Sequence, residues 1–130
     1  MQAGYLVVET NPALPGIVRV RGAATPPSLD SPDVRFCARF TDIDAALMHF
    51  HAGLRRRLID ADNKLYRSDV RDAVAVADAI ELSHRTVYMA PSLSDDPQLA
   101  RLIKRLHARH AAVDRTFNAI GIFALILLVA

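Results

Sequence analysis

Gly4 to Glu9 (GYLVVE) is rich in β-branched and aromatic residues, and Gly16 to Gly22 (GIVRVRG) sets Ile17, Val18 and Val20 among Arg19 and Arg21, as in a half-buried strand. Between them, TNPALPG holds two prolines, an asparagine and a glycine, which preset turn dihedrals or tolerate positive φ. The two runs therefore predict an antiparallel hairpin with a long loop. Ala23 to Pro32 (AATPPSLDSP) has three prolines in ten residues and reads as loop. Val34 to Phe40 (VRFCARF) predicts a third strand. Val34, Phe36, Ala38 and Phe40 fall on one side of it and Arg35, Cys37 and Arg39 on the other.

The period then lengthens. Asp42 or Asp44 is placed to N-cap a helix reaching about Arg57, with Ala45, Leu47 or Met48, and Leu54 as its stripe. Arg55, Arg56 and Arg57 fall at its C-terminal end, where cations complement the helix dipole. Ser68 is the expected cap of a second helix, from Asp69 to about Leu82, with Val70, Ala73, Val74, Ala77 and Ile80 at helical spacing. Thr86 to Met89 reads as a short strand, Pro91 to Pro97 as turn. Asp95 or Asp96 with Pro97 marks the start of a long helix. Its apolar side carries Leu99, Leu102, Ile103, Leu106, His110, Val113 and Phe117; Arg101, Lys104, Arg105 and Arg109 occupy much of the other side.

Residues 116 to 130 (TFNAIGIFALILLVA) carry no charge. As a helix they would span roughly 22 Å, short of the roughly 30 Å hydrocarbon core of a bilayer. Phe117, Ile120, Ile122, Phe123, Leu125, Ile126, Leu127 and Leu128 are their candidate contact residues. A short membrane anchor, a self-association helix giving a homo-oligomer, and a helix laid over the domain's own sheet all remain open. The expected fold is α+β: a small three-stranded antiparallel sheet flanked by helices, with a C-terminal helix that passes from amphipathic to hydrophobic. Residues 1–90 form the α+β unit and residues 95–130 the C-terminal extension.

Composition bounds this picture. With 52 % apolar and 23 % charged residues in 130, the chain fits one globular domain and not a disordered or polytopic membrane protein. The net charge of +2 conceals an asymmetry, because Arg101, Lys104, Arg105, Arg109 and Arg115 face only Asp114 beyond residue 100. Such a stretch suits phosphates, whether of nucleic acid or of an anionic membrane surface met by residues 101–130. Cys37 is the single cysteine, so no intrachain disulfide forms. The opening residues lack a signal-peptide pattern. Together these point to a reducing, cytoplasmic location, with membrane association through the C-terminus if the anchor role holds.

The opening GYLVVETNPALPGIVRVRGA resembles the GIY-YIG endonuclease superfamily, in particular its phage-type branch. In that comparison Gly4-Tyr5-Leu6 stands at the first signature and Arg19-Val20-Arg21 at a Lys-Ile-Gly-like second strand. FTDIDAALMHFHAGLRRRL looks like the family's helix after the third strand, with His51-Ala52-Gly53-Leu54 at its His-x-x-Leu, and NKLYRSDVRDAV looks like its closing segment. The resemblance covers about residues 3 to 82. It implies metal-dependent cleavage of nucleic acid phosphodiesters, using strand tyrosines, an arginine and a metal-holding glutamate. Here ATPPSLDSP stands where the arginine-bearing helix is expected, the glutamate position falls on Leu47, and the second signature tyrosine falls on Val7. Gly4, Tyr5 and His51 are the family-matching remnants. A leucine coordinates no cation, so the resemblance points to a non-catalytic binding or interaction module without a cofactor. An active endonuclease using Mg²⁺ or Mn²⁺ is the alternative.

The residues themselves offer further candidates. Arg19, Arg21, Arg35 and Arg39 alternate along two adjacent strands and form a candidate nucleic-acid surface, with DNA as the expected partner; pairing with Glu9, Asp30 and Asp33 is the bland reading. Tyr5 and Tyr66 are candidates for stacking on bases, but 6 % aromatics and no tryptophan supply no aromatic-interleaved platform of the single-strand-binding kind. His49 and His51, two apart on a helix, point away from one another and share no metal. Cys37 reads as buried filler.

Overall fold

A computed structural model describes residues 2–28 and 31–109, and the expectations for residues 110–130, including every contact residue from Phe117 to Leu128, lie outside them. The three expected strands are present as β1 (Gly4–Thr10), β2 (Ile17–Ala23) and β3 (Val34–Phe40). They form the middle of a larger sheet. Strands β4 (Leu58–Asp60), β5 (Leu65–Arg67) and β6 (His84–Met89) extend it to six, in the order β4-β5-β2-β1-β3-β6, all antiparallel. The expected three-stranded sheet is thus too small. Strands β4 and β5 have three residues each, too few for alternation to show, and they exist because they pair with each other and with β2.

The hairpin follows from its loop. Asn11 Oδ1 accepts the Ala13 N–H at 3.0 Å, and Gly16 takes φ 75°. Only glycine adopts that value without a steric cost. The Gly16 carbonyl then accepts the Ser68 N–H at 3.0 Å and ties the loop to the start of the second long helix.

Helix α1 (Ile43–Leu54) starts where Asp42 predicts: this residue is extended, and its side chain accepts the Ala45 N–H at 3.1 Å. It ends earlier than expected, because Arg55–Arg57 form one turn of 3₁₀ helix that leads directly into β4. The triple arginine is exposed, and Arg57 reaches Asp72 at 3.1 Å. Helix α2 (Val70–Asp78) is shorter than expected at both ends. Asp69, not Ser68, occupies its N-cap, while the Ser68 hydroxyl donates to the Asp69 carbonyl at 3.0 Å. A single turn, α3 (Pro91–Ser94), precedes helix α4, which is described over residues 97–109. Asp96 caps α4 by accepting the Gln98 N–H at 2.9 Å.

All the described helices lie on one side of the sheet. Leu6, Val8, Val18, Val20, Phe36, Ala38 and Phe40 meet Ile43, Ala46, Phe50 and Leu54 of α1, Ala73, Val74 and Ala77 of α2, and Leu93 and Leu99 beyond. Phe36, Phe40 and Phe50 are fully buried, and each stabilises the fold by about 2–3 kcal/mol through burial alone. Leu102, Ile103 and Leu106 of α4 pack on the same core, so this part of the apolar stripe serves the domain itself. Among the described residues no helix is long and apolar enough to cross a membrane.

Replacing Asp42 by Ala removes the α1 cap and is expected to cost about 1 kcal/mol, read as a lower urea midpoint at unchanged slope. A second expectation concerns acid. The Arg71 guanidinium, 2.7 Å from Asp96, holds that carboxyl below its ordinary range, and the Gln98 N–H adds to the effect. A lowered native pKa means that the contribution is present above the unfolded value and is lost as pH falls through the native one. Thermal melts between pH 6 and 2.5 should therefore fall less steeply in Asp96→Asn than in the parent.

Candidate functional site

The strand register divides the side chains between two faces. Opposite the helices, Arg21 stands beside Val7, Val7 beside Cys37, and Cys37 beside Tyr88. The next row runs from Ala23 through Tyr5 and Arg39 to Arg85, and on the other side Arg19 adjoins Glu9 and Leu65. Arg67, opposite Ile17, adds a cation near that edge. With strands about 4.8 Å apart, these guanidinium groups share one face. No described helix lies on it.

This face has an apolar centre and a basic surround. Val7, Val34 and Cys37 are buried, with Tyr5 and Tyr88 packed against them. Burial pushes the Cys37 thiol up, against the pull of Arg21, so it stays neutral and acts as packing. Arg21 is paired with Glu9. Arg19, Arg39 and Arg85 have no ion-pair partner among the described residues, and Arg19, Arg39 and Arg85 are exposed. The expected neutralisation by acids is therefore restricted, among the described residues, to the Arg21–Glu9 pair.

Two of the expected surface residues are elsewhere. Strands β2 and β3 are not adjacent, since β1 lies between them, and β3 carries a bulge where the pairing passes from Val8–Phe36 to Glu9–Val34. The extra residue, Arg35, has no partner on β1 and turns towards the helices. Its Nη2 donates to Ser92 Oγ at 3.1 Å, and it lines a cleft of about 500 Å³ with Ser68 and Asp69. Arg35 is thus removed from the basic face. Tyr66 is removed as well: it pairs with Val18, is 3 % exposed and belongs to the helix-side core.

Their places are taken by Arg85 and Tyr88. Strict alternation along HRTVYM would set these two on opposite faces, but β6 is bulged at Val87, so Arg85 meets Arg39 and Tyr88 meets Cys37. No pattern in the sequence reveals a bulge of this kind. It arises from pairing with β3.

The family-matching remnants do not converge. Tyr5 lies on the basic face, whereas His51 projects from α1 on the other side, where its Nδ1 is 2.9 Å from the Tyr66 hydroxyl. Burial raises the Tyr66 phenol pKa, so the group remains a neutral hydroxyl. Leu47, at the expected glutamate position, is half-buried against the core. Gly4 has a packing role: a Cβ there would lie 2.9 Å from Ile43 Cγ2 and 3.0 Å from the Ala23 carbonyl oxygen. His49 is exposed and takes no part in the His51 contact.

Comparison with family models, with curated proteins and with solved structures finds no match to this chain.

The Gly4 contact yields a test. Gly4→Val forces β1 and the start of α1 apart and is expected to lower stability by about 2 kcal/mol in urea unfolding. Such a loss assigns Gly4 to packing independently of any binding activity.

Proposed function

We propose that this chain is a non-catalytic binding module that holds nucleic acid on the sheet face opposite its helices. The observation that carries this reading is the set of exposed arginines without ion-pair partners among the described residues, Arg19, Arg39 and Arg85, around Tyr5 and Tyr88. Guanidinium groups match phosphate geometry, and each contact releases condensed counterions. Tyrosines beside them offer rings for stacking on unpaired bases. The GIY-YIG resemblance points to the same class of ligand. Against chemistry stand the separation of Tyr5 from His51 across the sheet and the leucine at the glutamate position.

Fluorescence anisotropy with labelled single-stranded and duplex oligonucleotides tests the reading. With three phosphate contacts, log affinity should fall with log salt with a slope of about −2 for single strands and about −3 for duplex. Replacing Arg19, Arg39 and Arg85 together by Gln should flatten that slope. Absence of binding at low salt, or a slope that the triple variant leaves unchanged, overturns the proposal. Supercoiled plasmid incubated with Mn²⁺ should remain intact. Nicking that disappears in Tyr5→Phe would instead establish the endonuclease alternative.

A further inference from the structure

The helix side of the sheet holds a second, chemically different concavity. Between the exposed flank of α1 and the β4–β5 hairpin runs a groove of about 350 Å³. Its walls are the apolar side chains of Leu47, Met48, Leu58 and Ala61, and its polar members are Lys64 and the His51–Tyr66 pair. The size falls at the lower end of the range for small-molecule sites.

Three features of the groove bear on what it would take. Met48 is 73 % exposed on the groove wall, a large apolar side chain left in water by its own fold. No carboxylate is among the lining residues, and Lys64 supplies their one fixed charge. Lys64 itself is held in the left-handed region at φ 54°, because Asp60 closes the turn by accepting from the Asp62 and Asn63 N–H groups at 3.0 and 3.3 Å, and the Lys64 carbonyl accepts the Val20 N–H at 3.2 Å. Its backbone position at the groove is therefore fixed from both sides.

The His51–Tyr66 contact leaves one donor over. With Nδ1 unprotonated, the Tyr66 hydroxyl donates to it and the His51 Nε2–H remains for a third group. With Nδ1 protonated, it donates to the phenol oxygen and the Tyr66 O–H remains. In either tautomer the pair offers one hydrogen to an acceptor, and a Lys64 ammonium favours an acceptor that is charged.

We propose that this groove binds a small apolar molecule carrying one carboxylate, its hydrocarbon part against Leu47, Met48 and Leu58 and its carboxylate at Lys64 and the His51–Tyr66 pair. The site lies on the face of the sheet opposite the basic one, so it stands or falls independently of the nucleic-acid reading.

Octanoate is the probe, titrated into the 130-residue chain by isothermal calorimetry, with octylamine as the charge-reversed control. Octanoate should bind and octylamine should bind at least tenfold more weakly. Lys64→Asn removes the ammonium with a residue that tolerates positive φ and is expected to weaken octanoate about tenfold. Met48→Glu changes an exposed side chain, puts a like charge on the wall and should abolish binding; circular dichroism melts matching the parent would show that both variants fold. Nucleic-acid affinity should be unchanged in both. No octanoate binding, equal binding of octylamine, or octanoate binding that survives both substitutions overturns the proposal, the last because the ligand then sits elsewhere, for example on residues 116–130.

Discussion

Strand β1 is the constraint on which the rest of this molecule depends. Leu6, Val7 and Val8 are three consecutive residues with no exposed surface, so β1 must be covered above and below. Its backbone donors and acceptors must also be met on both edges, because a buried unpaired amide costs as much as a lost hydrogen bond. Strands β2 and β3 meet that demand along nearly its whole length. The helices supply the cover on one side. On the other side Tyr5 and Tyr88 pack on Val7, Val34 and Cys37.

From that arrangement the two faces acquire different chemistry. The helix side takes up the apolar surface that the chain has to bury, including the stripe of α4 from Leu99 to Leu106, and leaves the basic side chains of that helix outward. The opposite side receives the residues that alternate away from the core, and in β2 and β3 these are mostly arginines. Bulges then adjust the result. One in β3 moves Arg35 to the helix side, where Ser92 accepts from it; one in β6 brings Arg85 and Tyr88 onto the same face. A one-residue shift transfers a side chain across the sheet, so two bulges suffice to exchange members of a candidate binding surface.

How much of this was legible depends on the range of the interaction concerned. Arg19, Arg21 and Arg39 were recognisable because alternation with Val18, Val20, Ala38 and Phe40 is a local property of each strand. The Asp42 cap was equally local: one carboxylate and an amide three residues on. By contrast, the local pattern does not reveal the turn of Arg35 to the helix side or the burial of Tyr66, since a bulge and a three-residue strand owe their form to partners far along the chain. The His51–Tyr66 contact spans 15 residues and joins a helix to a strand that only its pairing with β2 creates. Neither residue's neighbours in sequence announce the other.

The amino-acid sequence by itself therefore determined the three central strands, most of β6, the proline-rich hairpin loop, the start of α1 and the basic character of alternate strand positions, because each rests on side-chain period, capping or fixed φ within a few residues. Tertiary structure alone decided that the sheet has six strands, that Arg85 and Tyr88 replace Arg35 and Tyr66 on the basic face, and that a groove with Lys64 and His51 opens beside α1. The physical reason is that edge-strand pairing and bulge placement minimise unpaired backbone groups over the whole sheet, and that sum is not contained in any one segment.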